Sequence, residues 1–164
     1  MKIEQRPIKD LIPYINNSRK HSDEQVAQIA ASITEFGWTN PILVDGDSGI
    51  IAGHGRLLAA RKLKMDKVPV IELAHLSDAQ KKALIIADNK LALNADWDHE
   101  LLKIELFELD DLKYDLALTG FSVDELRIEM GFGADFEAGT EDDQGKLDKI
   151  DPIICPSCGH EFYK

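Results

Sequence analysis

The sequence predicts an α+β protein in which a small mixed-sheet domain is followed by a helical region. Short apolar runs separated by turn residues predict strands within the first 75 residues. Three serines, Ser22, Ser77 and Ser122, each precede a Gln or Glu by three residues, which is the capping-box pattern of a helix N-terminus. A glycine-rich turn at residues 53–56 joins an apolar strand to a basic helix.

The first 75 residues contain the strands. A short strand is expected over residues 2–12 and should end at Pro13. The helix that begins at Ser22 should end at Gly37. The next elements are a hairpin, a helix and a further strand, predicted at 41–44 with 49–52, at 53–63 and at 68–73. The apolar side of the first strand is formed by Ile3, Pro7, Ile8, Leu11 and Ile12.

The remainder of the chain is predicted to be helical and then irregular. Helices should follow Ser77, span Glu100 to Leu109, and run from Ser122 to Gly131, with their acidic residues on a solvated face. Residues 134–150 are rich in Gly, Asp and Glu without apolar periodicity, which is typical of a flexible linker. The predicted units are an α/β core at 1–75, a helical subdomain at 76–133, the linker at 134–150 and a C-terminal knuckle at 151–164.

Charge is unevenly distributed along this 164-residue chain of net charge −11. Residues 1–72 contain ten Lys/Arg and nine Asp/Glu, whereas residues 73–134 contain six and thirteen. Phosphate neutralisation requires positive surface, so any DNA contact is expected in the first segment. There, Arg61, Lys62 and Lys64 are interpreted either as solvated helix charges or as DNA contacts.

Composition also limits the compartment and the C-terminal chemistry. No apolar run approaches 18 residues, the first residues lack a signal-peptide pattern, and a cytoplasmic protein without membrane contact is expected. Cys155 and Cys158 form a Cys-x-x-Cys pair with His160 nearby, which predicts a zinc knuckle. Because a structural zinc needs four ligands, the site is interpreted as half of one that another chain or a further domain completes, or as a complete site within this chain.

The turn of residues 53–56 is the strongest candidate for chemistry. Glycines free the backbone N–H groups at a helix N-terminus, and Arg56 adds a fork of donors at the same point. This combination predicts a phosphate site.

Four ordered segments resemble one family, the ParB/sulfiredoxin superfamily, and in particular the ParB N-terminal domain of phage and prophage type. The segments are Asn16–Arg19, Gly37–Ile42, Gly53–Ala59 and Leu76–Asn89, so the resemblance covers about residues 3–95. It implies a CTP or ATP site with Mg²⁺. Proteins of this type are often associated with DNA methyltransferases.

The resemblance also implies roles for individual residues. Gly53, His54, Gly55 and Arg56 would line the phosphates, with Arg19 as a second cation. Gly37, Trp38, Thr39 and Asn40 would lie near the base or ribose, and Asp88 with Asn89 would face Mg²⁺. Residue by residue, simpler interpretations stay open: Trp38 as a core aromatic, His54 as a turn residue, and Asp88 and Asn89 as a helix C-cap.

Three departures from the family pattern bear on activity. The family's Gly-Glu-Arg-Arg is Gly53-His54-Gly55-Arg56 here, its base-box Gln is Asn40, and the last arginine of its second phosphate motif is Ala92. The identity of the nucleotide and its hydrolysis are therefore left open.

The sequence favours a nucleotide-binding, DNA-associated module of partition or regulatory type. The alternatives are an accessory domain of a DNA methyltransferase and a ParB-like nuclease or nucleotide-hydrolysing enzyme, including an amino-acid kinase. Methylation by this chain alone and sulfiredoxin-type reduction are not expected, because the methyltransferase motifs are absent and position 54 is not cysteine. The helix-turn-helix domain of ParB is not recognisable; a degenerate one within residues 77–131 is left open, although the acidity of these helices argues against groove binding. A homodimer and a methyltransferase or phage-protein partner are left open.

Overall fold

A computed structural model describes residues 2–131, together with the backbone of Ile153–Ile154 and Glu161–Phe162. The predicted linker at 134–150 and the predicted zinc ligands Cys155, Cys158 and His160 lie outside the described residues. The strands are β1 Ile3–Pro7, β2 Ile42–Val44, β3 Ile50–Ala52, β4 Lys67–Glu72, β5 Ile153–Ile154 and β6 Glu161–Phe162, and the helices are α1 Asp23–Phe36, α2 His54–Lys62, α3 Asp78–Ala92, α4 His99–Asp111 and α5 Val123–Met130.

Four strands form a mixed sheet in the order β1-β4-β2-β3. β1 is antiparallel to β4, β2 is parallel to β4, and β2 and β3 form an antiparallel hairpin. The parallel pair requires a crossover, and α2 supplies it between β3 and β4. The α+β class and the mixed sheet predicted from the sequence are confirmed.

Helices cover both faces of this sheet. On one face, Leu57 and Ala60 of α2 pack with strand residues that include Ile42, Val68 and Val70. On the other face, Ile85 of α3 packs with Ile51 and Leu73. β3 therefore contributes Ile50 to one side and Ile51 to the other, as the twofold alternation of a strand requires.

The helix N-termini are formed largely as the capping boxes predict. Ser77 and Ser122 each accept from the N3 backbone N–H, and the N3 side chain bonds back to the serine N–H in both boxes. Ser22 accepts from the Gln25 N–H, but the Gln25 side chain bonds to the His21 ring instead. The Gln25 side chain thus bonds to the loop before α1 instead of to the Ser22 N–H.

The predicted first strand is too long. β1 ends at Pro7, and residues 8–10 form a 3₁₀ turn in which the Leu11 N–H donates to the Ile8 carbonyl. β1 is an edge strand, and Ile3 and Ile12 are 60% and 59% exposed instead of lying in the core. The turn, which the periodicity did not reveal, is what carries Leu11 into the core.

An ion pair joins α3 to the β2–β3 hairpin. Lys81 Nζ lies 3.2 Å from Asp45 Oδ2, while Asp45 Oδ1 accepts from the N–H groups of Gly49 and Asp47. Burial raises the pKa of Asp45, but these hydrogen bonds and Lys81 outweigh it and lower the pKa overall. The hairpin turn is therefore held by an ionised carboxylate.

The helical region contacts the core through α1. The Gln28 side chain donates to the Gly120 carbonyl at 3.2 Å, and the Tyr114 hydroxyl bonds to Glu35 at 3.1 Å. Residues 116–119, a 3₁₀ turn that the sequence did not predict, lie against α1. None of the helices within the described residues is long and apolar enough to span a membrane.

The packing of Ile42 predicts a large stability difference between two isoleucine truncations. Ile42 is 0% exposed, whereas Ile15 is 93% exposed. Ile42→Ala should lower the free energy of unfolding by about 2–5 kcal/mol, because it leaves a cavity between the sheet and α2. Ile15→Ala should change it by less than about 0.5 kcal/mol. Urea unfolding of the two variants measures the difference, and equal losses would contradict this placement of the core.

Candidate functional site

Gly53 forms the link between β3 and α2. Its φ of +102° is left-handed, and a Cβ there would lie 3.2 Å from Ile42 Cγ1 and 3.4 Å from Arg56 Nε. No side chain caps α2, so its first N–H groups are available at the helix N-terminus. The geometry favours binding of an anion here.

A cavity of about 140 Å³ opens at this helix N-terminus. It brings together seven residues that the sequence singled out, from three segments far apart in the chain: Arg19, Gly53, His54, Gly55, Arg56, Asp88 and Asn89. Asn17, His21 and Ile29 also line it and were not among the predicted site residues.

A second cavity of about 420 Å³ adjoins the first. It is lined by Gly37, Trp38, Thr39 and Asn40, and by polar side chains of α1 such as Gln25 and Gln28. The two cavities share Ile29 and Arg56, so they form a continuous surface. Residues 118–120 of the helical region line the second cavity, and no sequence pattern indicated this.

Arg56 connects the two cavities physically. Its Nη1 donates to the carbonyls of Asn40 and Pro41, the latter at 2.8 Å. Burial lowers the pKa of Arg56, and the nearby Asp88 carboxylate opposes that change. The guanidinium thus holds segment 37–41 against the N-terminus of α2.

His54 has a structural hydrogen bond. The Tyr14 N–H donates to His54 Nε2 at 3.2 Å, so this nitrogen is unprotonated and the ring proton lies on Nδ1. Burial, followed by the charge of His21, lowers the pKa of His54 below its ordinary value. His54, the first residue of α2, is therefore neutral and fixes the loop before α1, and it also lines the smaller cavity.

His21 occupies the space next to Gly55. A Cβ at position 55 would lie 3.0 Å from Ile29 Cδ1 and 3.1 Å from His21 Cε1, so any side chain there would require these two neighbours to shift. The His21 ring is oriented by Gln25 Oε1, 2.9 Å from its Nδ1. One sequence signal could have pointed to His21. Gly55 stands where the family motif that it resembles has an arginine, and a missing side chain leaves space for a bulky neighbour.

Trp38 contacts both the core and the second cavity. Its Nε1 donates to the Asn40 carbonyl at 2.9 Å, and its ring packs partly buried against the cluster around Ile42. The core-aromatic interpretation accounts for these contacts, and a base contact stays a prediction.

Asp88 and Asn89 lie within α3, which continues to Ala92, so their interpretation as a helix C-cap is wrong. The helix continues beyond Asp88 and Asn89, and its apolar face contacts the sheet through Ile85. Asn89 Nδ2 donates to the Ile85 carbonyl at 2.8 Å, which leaves its Oδ1 as an acceptor. Within the described residues no group of three His, Cys, Asp or Glu could hold a metal ion. Two oxygen-bearing side chains fit Mg²⁺ only as a partial ligand set.

Two family models match the chain. The ParB N-terminal domain matches residues 1–90, and the ParB-methyltransferase HTH domain matches residues 100–156. The second match corrects the expectation that no helix-turn-helix is recognisable. Residues 100–131 are acidic, unlike a typical groove-binding segment, which explains why their charge concealed the relationship.

Individual proteins resemble parts of this chain in sequence or in fold. The ParB-like nuclease domain-containing protein YnaK of Escherichia coli strain K12 is 58% identical over 82 residues, which cover 50% of this chain and 94% of YnaK. The truncated chromosome-partitioning protein ParB of Caulobacter crescentus, solved with CTP-γ-S, aligns with a TM-score of 0.65 and 22% identity over 90% of this chain and 85% of that one. Sulfiredoxin from Arabidopsis thaliana aligns with a TM-score of 0.40 and 21% identity over 44% of this chain and 84% of that one.

The environment of His54 predicts a pH-dependent stability. Its pKa is lowered on folding, so just below the unfolded value of about 6.5 the unfolded chain binds a proton that the folded chain does not. The free energy of unfolding should therefore rise with pH up to about pH 6.5, by at most about 1.4 kcal/mol per pH unit. His54→Asn, which can still accept from Tyr14, should flatten this rise. Urea titrations across this window test it, with His75→Asn as the control that keeps the rise.

The turn at Gly53 predicts a contrast between two glycine substitutions. Gly53→Ala should lower the free energy of unfolding by about 1–3 kcal/mol, because the left-handed backbone strains any L side chain. Gly46→Ala is the matched control, since its Cβ meets only Ala74 Cβ at 3.6 Å. Thermal unfolding of both variants compares them, and an unchanged Tm for Gly53→Ala would be incompatible with this turn.

Proposed function

The chain belongs to the ParB N-terminal domain family, and we propose that it binds a nucleoside triphosphate, CTP or ATP with Mg²⁺, as part of a DNA-associated module. The observation that carries this proposal is the pair of continuous cavities that meet at Arg56. One cavity has the chemistry of a phosphate site, and the other has the size and polarity of a base and ribose site.

The phosphates are assigned to the smaller cavity. Gly53 and Gly55 allow the backbone to approach a ligand closely, and the N–H groups of α2 point their positive dipole end at it. Arg19 adds a cation whose side chain forms no ion pair within the described residues. Arg56 contributes its charge, although its Nη1 is already used by two carbonyls.

The base and ribose are assigned to the larger cavity. Its volume of about 420 Å³ lies in the range of about 300–1,000 Å³ that small-molecule sites occupy. Polar groups from two segments, including Thr39, Asn40, Gln25 and Gln28, line it and can read the donor and acceptor pattern of a base. CTP is the first candidate, because the Caulobacter crescentus ParB that shares this fold was solved with CTP-γ-S.

Mg²⁺ is assigned to the edge of the smaller cavity. Asp88 is exposed, and the Asn89 amide leaves its oxygen free to accept. Together they supply two hard oxygen ligands, and phosphate oxygens and water would complete the octahedron that Mg²⁺ prefers. Mg²⁺ would offset the repulsion between Asp88 and the phosphates.

An accessory role beside a DNA methyltransferase is the second candidate function. The observation that favours it is the match of residues 100–156 to the ParB-methyltransferase HTH domain. In this role the nucleotide site would regulate a DNA-bound enzyme, and the chain itself would carry out no methyl transfer. Copurification of a methyltransferase with the chain, with activity that depends on nucleotide, would distinguish this role from an independent module.

Nucleotide binding should stabilise the folded chain selectively. At a ligand concentration of about 100 times Kd, the free energy of unfolding rises by about 2.7 kcal/mol, which is a Tm increase of roughly 5–10 °C. We expect CTP or ATP with Mg²⁺ to give this increase in a melting panel that also includes GTP and UTP. No shift with any of the four would overturn the proposal.

Arg19→Gln tests the phosphate assignment without disturbing the contacts of Arg56. Loss of a charge-assisted contact should weaken nucleotide binding by about 1.5–3 kcal/mol, roughly 10–150-fold. Arg127→Gln is the matched control, because among the described residues the ion pair of Arg127 is with Asp124 on the surface of α5. Isothermal titration measures both variants. Equal affinities for Arg19→Gln and the wild type would remove Arg19 from the site.

A further inference from the structure

A basic face lies at the end of α2 that is opposite the nucleotide cavities. A depression of about 530 Å³ is lined by Lys9 after β1, Arg61 in the last turn of α2 and Lys67 at the start of β4. These three side chains are exposed, and none forms an ion pair within the described residues. We call Lys9, Arg61 and Lys67 the basic face.

The charge around the basic face is positive in a strongly acidic chain. Lys62 and Lys64 flank it in sequence. The neighbouring carboxylates are Asp66, which lines the depression, Asp10 next to Lys9, and Glu24, whose charge interacts with Lys62. Five cations and three carboxylates thus share this end of the core, while the whole chain has a net charge of −11. Unpaired like charges repel one another, so a polyanion would relieve a repulsion that the folded chain otherwise retains.

Helix electrostatics explains only part of this arrangement. Cations in the last turn of a helix are stabilised by its dipole, which accounts for Arg61 and Lys62. Lys9 and Lys67 belong to other elements, and the fold brings them to the same depression through the antiparallel pairing of Pro7 with Lys67. The basic face is therefore a product of tertiary structure.

The helix-turn-helix match makes DNA the partner to consider. Residues 100–131 contain nine Asp/Glu and only three Lys/Arg, so these helices repel phosphates. A DNA-associated chain with such helices needs its phosphate contacts elsewhere. The basic face supplies three cations from three separate elements, and the inference drawn from it rests on the DNA-associated role proposed above.

We propose that the basic face binds the phosphate backbone of duplex DNA without reading sequence. The site is independent of the proposed nucleotide site, because the nine residues of α2 separate the two by about 13 Å. Its contacts are electrostatic, so affinity should fall steeply as salt rises, with a slope of about −0.9 in log K against log salt for each phosphate neutralised.

The test compares two triple variants of the full chain. Lys9→Gln, Arg61→Gln and Lys67→Gln together remove the basic face, whereas Lys2→Gln, Lys82→Gln and Lys113→Gln together remove three exposed cations elsewhere. Fluorescence anisotropy with a short random-sequence duplex, over a series of NaCl concentrations, gives the slope for each protein. The basic-face variant should have a slope shallower by about 2–3, and the control variant should keep the wild-type slope.

Other outcomes would overturn the proposal. If the two triple variants lose DNA affinity equally, DNA binding depends on net charge alone. If the wild type does not bind duplex DNA at low salt, the proposed DNA contact of the basic face is excluded. Stronger competition by polyglutamate than by unlabelled duplex would identify an acidic protein segment as the partner instead. The Tm increase with nucleotide should be the same in both triple variants, so failure of this site is distinguishable from failure of the nucleotide site.

Discussion

The contact of Arg56 with the carbonyls of Asn40 and Pro41 is the interaction on which the site depends. It holds segment 37–41 against the N-terminus of α2, and Arg56 lines both cavities at this point. Burial of the guanidinium disfavours its charged form and lowers the pKa of Arg56. The Asp88 carboxylate favours the charged form and partly offsets this effect. Both bonds use one nitrogen, Nη1, so a single donor atom of the guanidinium holds segment 37–41 before any ligand is considered.

A second set of contacts surrounds Gly55. Ile29 Cδ1 and His21 Cε1 lie 3.0 Å and 3.1 Å from where a Cβ at position 55 would be. His21 is held by Gln25, and Gln25 is withdrawn from the capping box of α1 to hold it. His21 therefore lines the cavity beside Gly55, and a side chain at position 55 would require Ile29 and His21 to shift.

Sequence reasoning succeeded where local chemistry decides the structure. Ser77 and Ser122 begin their helices with complete capping boxes, and Gly37 and Gly131 end theirs with positive φ, because these requirements are satisfied within a few residues. It failed where distant segments decide. The exposure of Ile3 follows from the edge position of β1, and the role of His21 follows from the absence of a side chain at Gly55, 34 positions later.

The two ends of α2 carry the two proposed binding sites, and the packing of this helix constrains how they can communicate. Leu57, Ala59 and Ala60 are essentially inaccessible to solvent, with the sheet on one side and α1 on the other. A close-packed helix has no second arrangement available without opening both contacts, so α2 itself is a poor switch. The helical region is attached differently, because residues 118–120 line the larger cavity and the bonds of Gln28 and Glu35 that join this region to α1 are exposed. Exposed hydrogen bonds open more easily than a packed core, so this contact constrains the larger cavity less than the packing of α2 does.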